Sequence, residues 1–173
     1  MQIKKYQSAS STQELAKKEK NPKPWTIFWA KEQKVGYGRK KTAWFSPKGG
    51  LYFSIILPKS NIEDLQTLTV LAAFVTAKII KEDFKLEPFI KLPNDVWVNG
   101  KKIAGILTEN VIGKEIKLSV MGIGLNTNVE KFSKELKETA TSLKIELKKA
   151  VDDEKILKKI VNGLKEQLKT ISE

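Results

Sequence analysis

The sequence predicts an α+β fold, in which a mixed, mostly antiparallel β-sheet carries helices packed on one face. Three observations predict it. Short runs with strand character recur along the chain, two long segments have helical periodicity, and Asn99-Gly100 joins two of the strands as a strong two-residue hairpin signal. With 173 residues, 40% hydrophobic and 30% charged, we expect a single domain over residues 1–173.

The first part of the chain alternates strand and helix. Residues 2–7 predict a strand, and Ser11-Thr12-Gln13-Glu14 has the S-x-x-E form of a capping box that starts a helix running to about Lys20. Residues 25–30 are a compact apolar run rich in aromatic and β-branched side chains, which is typical of a buried strand. After a polar loop, residues 51–57 predict the next strand.

The clearest helix is predicted over residues 60–82. Ser60 is a suitable N-cap, and Glu63 lies three residues further on. Apolar residues recur at helical spacing around much of the surface, so we expect this helix to be central and buried. These residues are Leu65, Leu68, Leu71, Ala72, Val75 and Ile79.

The second half of the chain predicts a run of strands and a final helix. Residues 89–92 form a short strand, and residues 96–98 and 101–109 pair through the Asn-Gly turn. Residues 116–125 predict a further strand, in which two glycines suggest close approach of a backbone or ligand. A helix with one apolar face is expected over residues 152–171.

Composition excludes several classes of chemistry. The chain has no cysteine and no histidine, which removes disulfides, thiolate nucleophiles, histidine bases and the usual zinc sites. Its net charge is +12, but no block of five or six like charges appears, so charge alone does not predict a nucleic-acid partner. No apolar run could span a bilayer and the N-terminus lacks the apolar core of a signal peptide, so we expect a cytoplasmic protein without a membrane partner.

One arginine stands among 32 basic residues, and it lies in a glycine loop. Arg39 follows Gly36-Tyr37-Gly38, and the other basic residues are all lysine. A guanidinium can grip a carboxylate or phosphate with two parallel hydrogen bonds, so this loop indicates an anion site. The alternatives are an ordinary turn and the chance survival of one surface arginine.

Two other segments concentrate polar groups at strand ends. Asn94 and Asp95 precede the hairpin, with Lys91 before them and Lys101 and Lys102 after the turn. The alternative for this segment is an ordinary Asn-Gly hairpin with solvated lysines. The segment 122–128 carries two amides on a glycine-spaced strand end, which suits a polar heterocycle but is also typical of a turn.

Seven motifs occur in a fixed order along the chain. They are Ser11-Thr12-Gln13-Glu14, the loop from Gly36 to Trp44, Ser46-Pro47-Lys48-Gly49-Gly50-Leu51-Tyr52-Phe53-Ser54, Lys91-Leu92-Pro93-Asn94-Asp95, Gly100-Lys101-Lys102-Ile103-Ala104-Gly105-Ile106-Leu107-Thr108-Glu109, Gly122-Ile123-Gly124-Leu125-Asn126 and Ala140-Thr141-Ser142-Leu143. Together they resemble the catalytic domain of the biotin protein ligase family. The resemblance covers residues 11 to about 143.

The resemblance implies a two-step, ATP-dependent reaction. Biotin and ATP, with Mg²⁺, give biotinoyl-AMP and pyrophosphate, and the biotinoyl group then passes to a lysine of a biotin carrier protein domain. Positioning and cationic stabilisation can supply most of this catalysis, so no histidine is needed. The nearest rival is a lipoate or octanoate ligase or transferase of the same fold; the Pro-Asn-Asp hairpin, Ser11 and Thr12 favour biotin.

The resemblance also implies roles for individual residues. Lys91 would act at the biotin carboxylate and α-phosphate, Arg39 and Lys101 would act at phosphate oxygens, and Lys102 is expected to be solvated. No protein ligand to a metal is implied. The implied biotin-binding residues are Ser11, Thr12, Gln13, Gln33, Tyr37, Gly38, Arg39, Lys91 and Gly105. The implied ATP-binding residues are Arg39, Trp44, Asn94, Lys101 and Asn126.

The chain departs from the family pattern in its glycine loop and at Leu92, where the family commonly has tryptophan. The family loop usually has arginine at the positions of Tyr37 and Thr42 and often glycine at Lys41, so we expect weaker retention of the adenylate. We expect a catalytic domain alone, without an N-terminal helix-turn-helix or a small C-terminal β-domain, and hence no DNA partner; a homodimer stays open. A different class, a basic binding module that has lost catalysis, would be indicated by loss of Lys91 or Arg39, and both are present.

Overall fold

The computed structural model describes residues 1–58 and 65–172, and within these ranges it contains one seven-stranded sheet and four α-helices. The strands are β1 (Gln2–Tyr6), β2 (Thr26–Ala30), β3 (Leu51–Ile56), β4 (Pro88–Lys91), β5 (Asp95–Val98), β6 (Lys101–Ile112) and β7 (Ile116–Leu125). The helices are α1 (Thr12–Lys17), α2 (Leu65–Phe84), α3 (Leu143–Leu147) and α4 (Asp153–Ser172).

The sheet is mixed and mostly antiparallel, as predicted. Its strand order is β1-β2-β3-β7-β6-β5-β4. Only β1 and β2 pair in parallel among the described strands, and the other neighbouring pairs are antiparallel. A parallel pair needs a crossover connection rather than a tight turn, and α1 lies within that connection.

The two faces of the sheet carry different helices. Along β3, Phe53 and Ile55 belong to the main core with α2 and α4, whereas Ile56 packs in a second cluster with Ala16 of α1. Successive strand residues point to opposite faces, so the two long helices share one face, as predicted, and α1 lies on the other. The apolar face of α4 is buried from Ile156 to Leu168; the side chain of Ile171 lies outside the described residues.

Most element boundaries agree with the prediction to within a few residues. The Asn99-Gly100 turn is confirmed, with φ of 50° and 75°. Helix α1 ends at Lys17 rather than Lys20, because the residues after Ala16 are charged and add no apolar contact to the sheet. The capping predicted for Ser60 lies outside the described residues.

Helix α3 was not predicted. Its N-cap is Ser142, whose hydroxyl accepts a hydrogen bond from the Ile145 amide at 3.1 Å. The helix has five residues, which is too short for a periodic pattern to appear in the sequence. Ser142 was the signal in the sequence for the start of this helix, because a serine hydroxyl commonly accepts hydrogen bonds from the free amides of a first turn.

Candidate active site

A buried polar network lies at the start of α1. The Thr12 hydroxyl lies 2.9 Å from the Ser54 hydroxyl on β3, and the Thr12 amide donates to Gln33 Oε1 at 2.8 Å. Ser54 also donates to Gln13 Oε1 at 2.9 Å, while Gln13 Nε2 donates to the Val120 carbonyl at 3.1 Å. Because these side chains fix one another, their remaining donor and acceptor positions are held in a defined geometry.

This network forms one end of a cavity of about 390 Å³, which we call the polar cavity. Ser11, Thr12, Gln13 and Gln33, which the resemblance assigns to biotin binding, line that end. Ser11 is the N-cap of α1 and is 3% exposed, so its hydroxyl is committed to the Glu14 amide. Fixed polar groups in an otherwise enclosed cavity are typical of a site that reads a small polar ring.

The glycine loop runs along this cavity as a small hairpin. The Trp44 amide donates to the Gly36 carbonyl at 2.9 Å, and a short 3₁₀ turn at Arg39–Lys41 forms the tip. Arg39 is exposed and lines the polar cavity, and its side chain has no hydrogen-bond or ion-pair partner within residues 1–58 and 65–172. The guanidinium is therefore free to bind an anion.

Side-chain contacts hold the loop to the sheet and to α1. The Tyr37 hydroxyl lies 2.5 Å from Glu14 Oε1 and 3.1 Å from Glu109 Oε2, and it accepts a hydrogen bond from Lys17 at 2.9 Å. Hydrogen bonds from Lys17 and Tyr37 lower the pKa of the Glu14 carboxyl to about 2. Burial and the contact with Glu14 raise the pKa of the Tyr37 phenol, so the phenol stays neutral.

Trp44 lies across two glycines of the sheet. An added Cβ on Gly124 would be 2.4 Å from the indole nitrogen, and one on Gly105 would be 3.1 Å from the ring. The predicted close approach at Gly124 is thus made by a side chain of the protein itself. Residues Gly105 and Gly124 are register partners on β6 and β7, so together they form a flat trough for the ring.

A second cavity adjoins the first on the other side of Trp44. It has a volume of about 1080 Å³, and we call it the aromatic cavity because Trp44, Trp97, Phe45 and Phe132 line it. Three buried polar atoms here have no partner among the described residues: the indole nitrogens of Trp44 and Trp97 and the side-chain oxygen of Asn126. Such atoms are costly to leave unpaired, so they suit a ligand with complementary donors and acceptors.

Lys102 lines both cavities. Its ammonium lies 2.7 Å from Asp95 Oδ1, an ion pair whose angles are not those of an aligned hydrogen bond, and 5.1 Å from the centre of the Trp44 ring. Arg39 and Lys40 also line the polar cavity. Three cationic side chains therefore line the polar cavity, and Lys102 is the one of them that also lines the aromatic cavity.

The structure does not bring Lys91 or Lys101 to either cavity. Lys91 is exposed on the edge strand β4, with its ammonium 4.7 Å from the centre of the Trp97 ring. Lys101 donates a hydrogen bond to the Lys137 carbonyl at 2.8 Å on the surface. Neighbouring strand residues point to opposite faces, which separates Lys101 from Lys102. Lys102 was expected to be solvated, whereas the fold makes it the lysine that lines both cavities.

The other predicted residues line one cavity or the other. Asn94 and Gly105 line the polar cavity together with Gly38. Asn126 lines the aromatic cavity, where its Nδ2 donates to the Thr141 carbonyl at 3.0 Å. A signal for Lys102 was present in the sequence, because the two-residue turn pairs Lys102 with Trp97, and Trp97 shares a face with Asp95.

Residues 5–126 match the model of the biotin/lipoate A/B protein ligase family. The chain belongs to this family.

The chain is also similar in sequence to individual members of the family. The chain is 38% identical over 141 residues to the bifunctional ligase/repressor BirA of Bacillus subtilis, a match that spans 78% of this chain and 43% of that protein. It is 33% identical over 103 residues to biotin--[acetyl-CoA-carboxylase] ligase of Paracoccus denitrificans, covering 56% of this chain and 42% of that protein. The chain thus spans less than half the length of these two relatives.

A solved structure of the family also superposes closely. The biotin protein ligase from Aquifex aeolicus in complex with biotin and ATP has a TM-score of 0.91 and 31% identity, covering 99% of this chain and 72% of that chain.

None of the helices in the described ranges is long and apolar enough to cross a membrane. The described ranges also contain no group of three acidic side chains suited to a metal ion.

Proposed function

We propose that this chain is the catalytic domain of a biotin protein ligase, which activates biotin with ATP and transfers it to a carrier lysine. One observation carries the proposal: Lys102 lines both the polar cavity and the aromatic cavity. A cation at the junction is placed where a carboxylate from one cavity would meet a phosphate from the other. The membership of the family supports this arrangement.

The polar cavity is the proposed biotin site. The ureido ring of biotin has two N–H donors and a carbonyl acceptor, and Thr12, Gln13, Gln33 and Ser54 present hydroxyl and carboxamide groups at one end of the cavity. Buried polar groups of this kind discriminate strongly against a ligand that leaves them unpaired. The dithiolane ring of a lipoyl group contains no nitrogen and an octanoyl chain has no ring, so the network favours biotin over the rival substrate.

The aromatic cavity is the proposed nucleotide site. Trp44 and Trp97 offer aromatic faces, and the free oxygen of Asn126 can accept a hydrogen bond from an amino group. Mg²⁺ is proposed to enter with the triphosphate, since it is usually bound through substrate phosphates and few protein ligands.

The proposed chemistry has two displacements. A carboxylate oxygen of biotin attacks the α-phosphorus of ATP, the bond to the bridging oxygen breaks, and pyrophosphate leaves. The amine of the carrier lysine then attacks the acyl carbon, loses a proton, and AMP leaves. Lys102, Arg39 and Lys40 would offset the repulsion between anions and the charge that develops on phosphorus.

The carrier is proposed to be a biotin carrier domain of a carboxylase, since the Paracoccus denitrificans relative is a biotin--[acetyl-CoA-carboxylase] ligase. A cytoplasmic location is proposed with it, because the reaction consumes ATP. The absence of a DNA partner stays a prediction from the sequence, and a homodimer stays open.

Thermal unfolding with biotin or lipoate, combined with pyrophosphate release, tests the substrate. A ligand that binds only the folded state raises the unfolding temperature. We expect biotin to raise it, lipoate to leave it unchanged, and pyrophosphate release to require biotin. Stabilisation by lipoate without stabilisation by biotin would contradict the proposal and favour the rival substrate.

A further inference from the structure

The Tyr37 phenol of the glycine loop contacts two elements outside the loop. The hairpin from Gly36 to Trp44 closes on itself through backbone hydrogen bonds, and its tip is exposed. The Tyr37 hydroxyl reaches out of this hairpin to two other elements. It lies 2.5 Å from Glu14 on α1 and 3.1 Å from Glu109 on β6.

Two lysines balance the two carboxylates around this phenol. Lys17 lies 2.8 Å from Glu14 and 3.3 Å from Glu109, and it donates to the Tyr37 hydroxyl at 2.9 Å. Lys41, at the loop tip, lies 3.6 Å from the centre of the Tyr37 ring and 3.7 Å from Glu14. The cluster is neutral overall, and each charged group in it has an opposite charge within 4.0 Å.

The side chains of the loop thus fall into two groups, those that contact the rest of the protein and one that faces the cavity. Tyr37 and Lys41 contact the body of the protein, and Arg39 faces the polar cavity without a partner in the described residues. Contacts of Tyr37 and Lys41 fix the loop while the guanidinium stays available. A loop fixed before binding does not have to be ordered when the ligand arrives, which improves retention of that ligand.

We propose that Tyr37 is a positioning residue that clamps the glycine loop to α1 and β6 in the ligand-free protein, so that the loop retains the acyl-adenylate. This inference rests on the proposed function for the nature of the retained ligand. The clamp offsets the weaker retention of the adenylate that we expect because this loop has Tyr37 and Thr42 where the family usually has arginine. It acts through Arg39 and the backbone of the loop rather than by touching the reacting atoms.

The variant Tyr37→Phe tests the clamp, because it keeps the ring and removes the hydroxyl. Trypsin can cleave after Arg39, Lys40 and Lys41, and mass spectrometry can follow these cuts relative to the cut after Lys48 in the ligand-free protein. We expect the loop cuts to become about tenfold faster, as loss of hydrogen bonds to charged groups allows. The control Tyr6→Phe removes a hydroxyl on β1, away from the loop, and should leave the ratio unchanged.

The second measurement is dissociation of preformed biotinoyl-AMP. Tyr37→Phe should release it about tenfold faster, with single-turnover pyrophosphate release changed by less than about twofold. If Tyr37→Phe folds poorly, Glu109→Gln is the second variant. It should also speed both the loop cuts and the dissociation of biotinoyl-AMP. Unchanged loop cleavage, or unchanged adenylate dissociation, would overturn the inference. If the wild-type chain formed no adenylate, the proposed function would fail, while the cleavage ratio would still decide the clamp.

Discussion

The Lys102 ammonium lies 2.7 Å from the Asp95 carboxylate at the junction of the polar and aromatic cavities. The two residues belong to adjacent strands, and Asp95 is itself the register partner of Gly105 beneath the Trp44 ring. Asp95 thus holds the ammonium in place without neutralising the site, because Arg39 and Lys40 remain as further cations.

Lys102→Met should lower biotin-dependent pyrophosphate release by about 10²-fold or more, since removal of one charge-stabilising group typically costs that much. The methionine keeps most of the apolar stem, so stability should change little. Lys117→Met, an exposed lysine on β7, is the matched control. Lys91→Ala should retain most of the activity, because Lys91 lies outside both cavities. Near-normal release from Lys102→Met would contradict the assignment.

Arg39→Gly should release biotinoyl-AMP faster than the wild-type chain, by about tenfold, because the guanidinium faces the cavity without another partner in the described residues. Arg39→Lys should release biotinoyl-AMP at a rate between those of the wild type and Arg39→Gly, since lysine keeps the charge and loses the planar fork of the guanidinium. Filter binding of labelled adenylate measures the rate. An unchanged rate in Arg39→Gly would show that the arginine does not hold the adenylate.

Gly124→Ala should displace the Trp44 indole, because the new Cβ would lie 2.4 Å from its nitrogen. We expect a loss of about 1–3 kcal/mol in the free energy of unfolding and a higher KM for ATP, as overpacking normally produces. Gly113→Ala is the control, since its new Cβ would meet only the flexible end of Lys117. Equal stability and equal KM for ATP in both variants would contradict the close packing of the Trp44 ring on Gly124.

Acid should weaken the fold partly through Glu14. Its pKa is about 2 in the folded chain and near 4.5 when unfolded, so the unfolded state binds the proton first. The stabilisation is therefore complete above about pH 4.5 and is lost as the pH falls towards 2. Glu14→Gln should show a smaller difference in unfolding free energy between pH 7 and pH 3 than the wild type and the exposed control Glu115→Gln. The same difference in all three would refute this role.

Sequence patterns predicted the seven strands and the two long helices because these depend on local periodicity and turn chemistry. The Asn99-Gly100 turn and the capping box at Ser11 are examples, since each acts over a few residues. The lysine between the cavities depends on which strand is the edge and which face each residue takes. Motif order alone pointed to Lys91, whereas alternation along β5 and β6 places Lys102 beside Asp95.

Contacts between distant segments were not predictable from the chain. Trp44 was expected to offer a ring to adenine, but its position over Gly124 depends on how the loop crosses the sheet. The contact of Tyr37 with Glu14 and Glu109 joins residues 23 and 72 positions apart, and no local pattern marks it. Such contacts are set by tertiary packing, which a single sequence does not reveal.

Mass spectrometry of a biotin carrier domain is the most direct test of the central claim. The 173-residue chain is incubated with the carrier domain, biotin and Mg-ATP, and matched samples lack ATP or contain lipoate in place of biotin. We predict that the carrier gains the mass of one biotinoyl group at its acceptor lysine, only when biotin and ATP are both present. A carrier that stays unmodified with biotin and ATP would contradict the account.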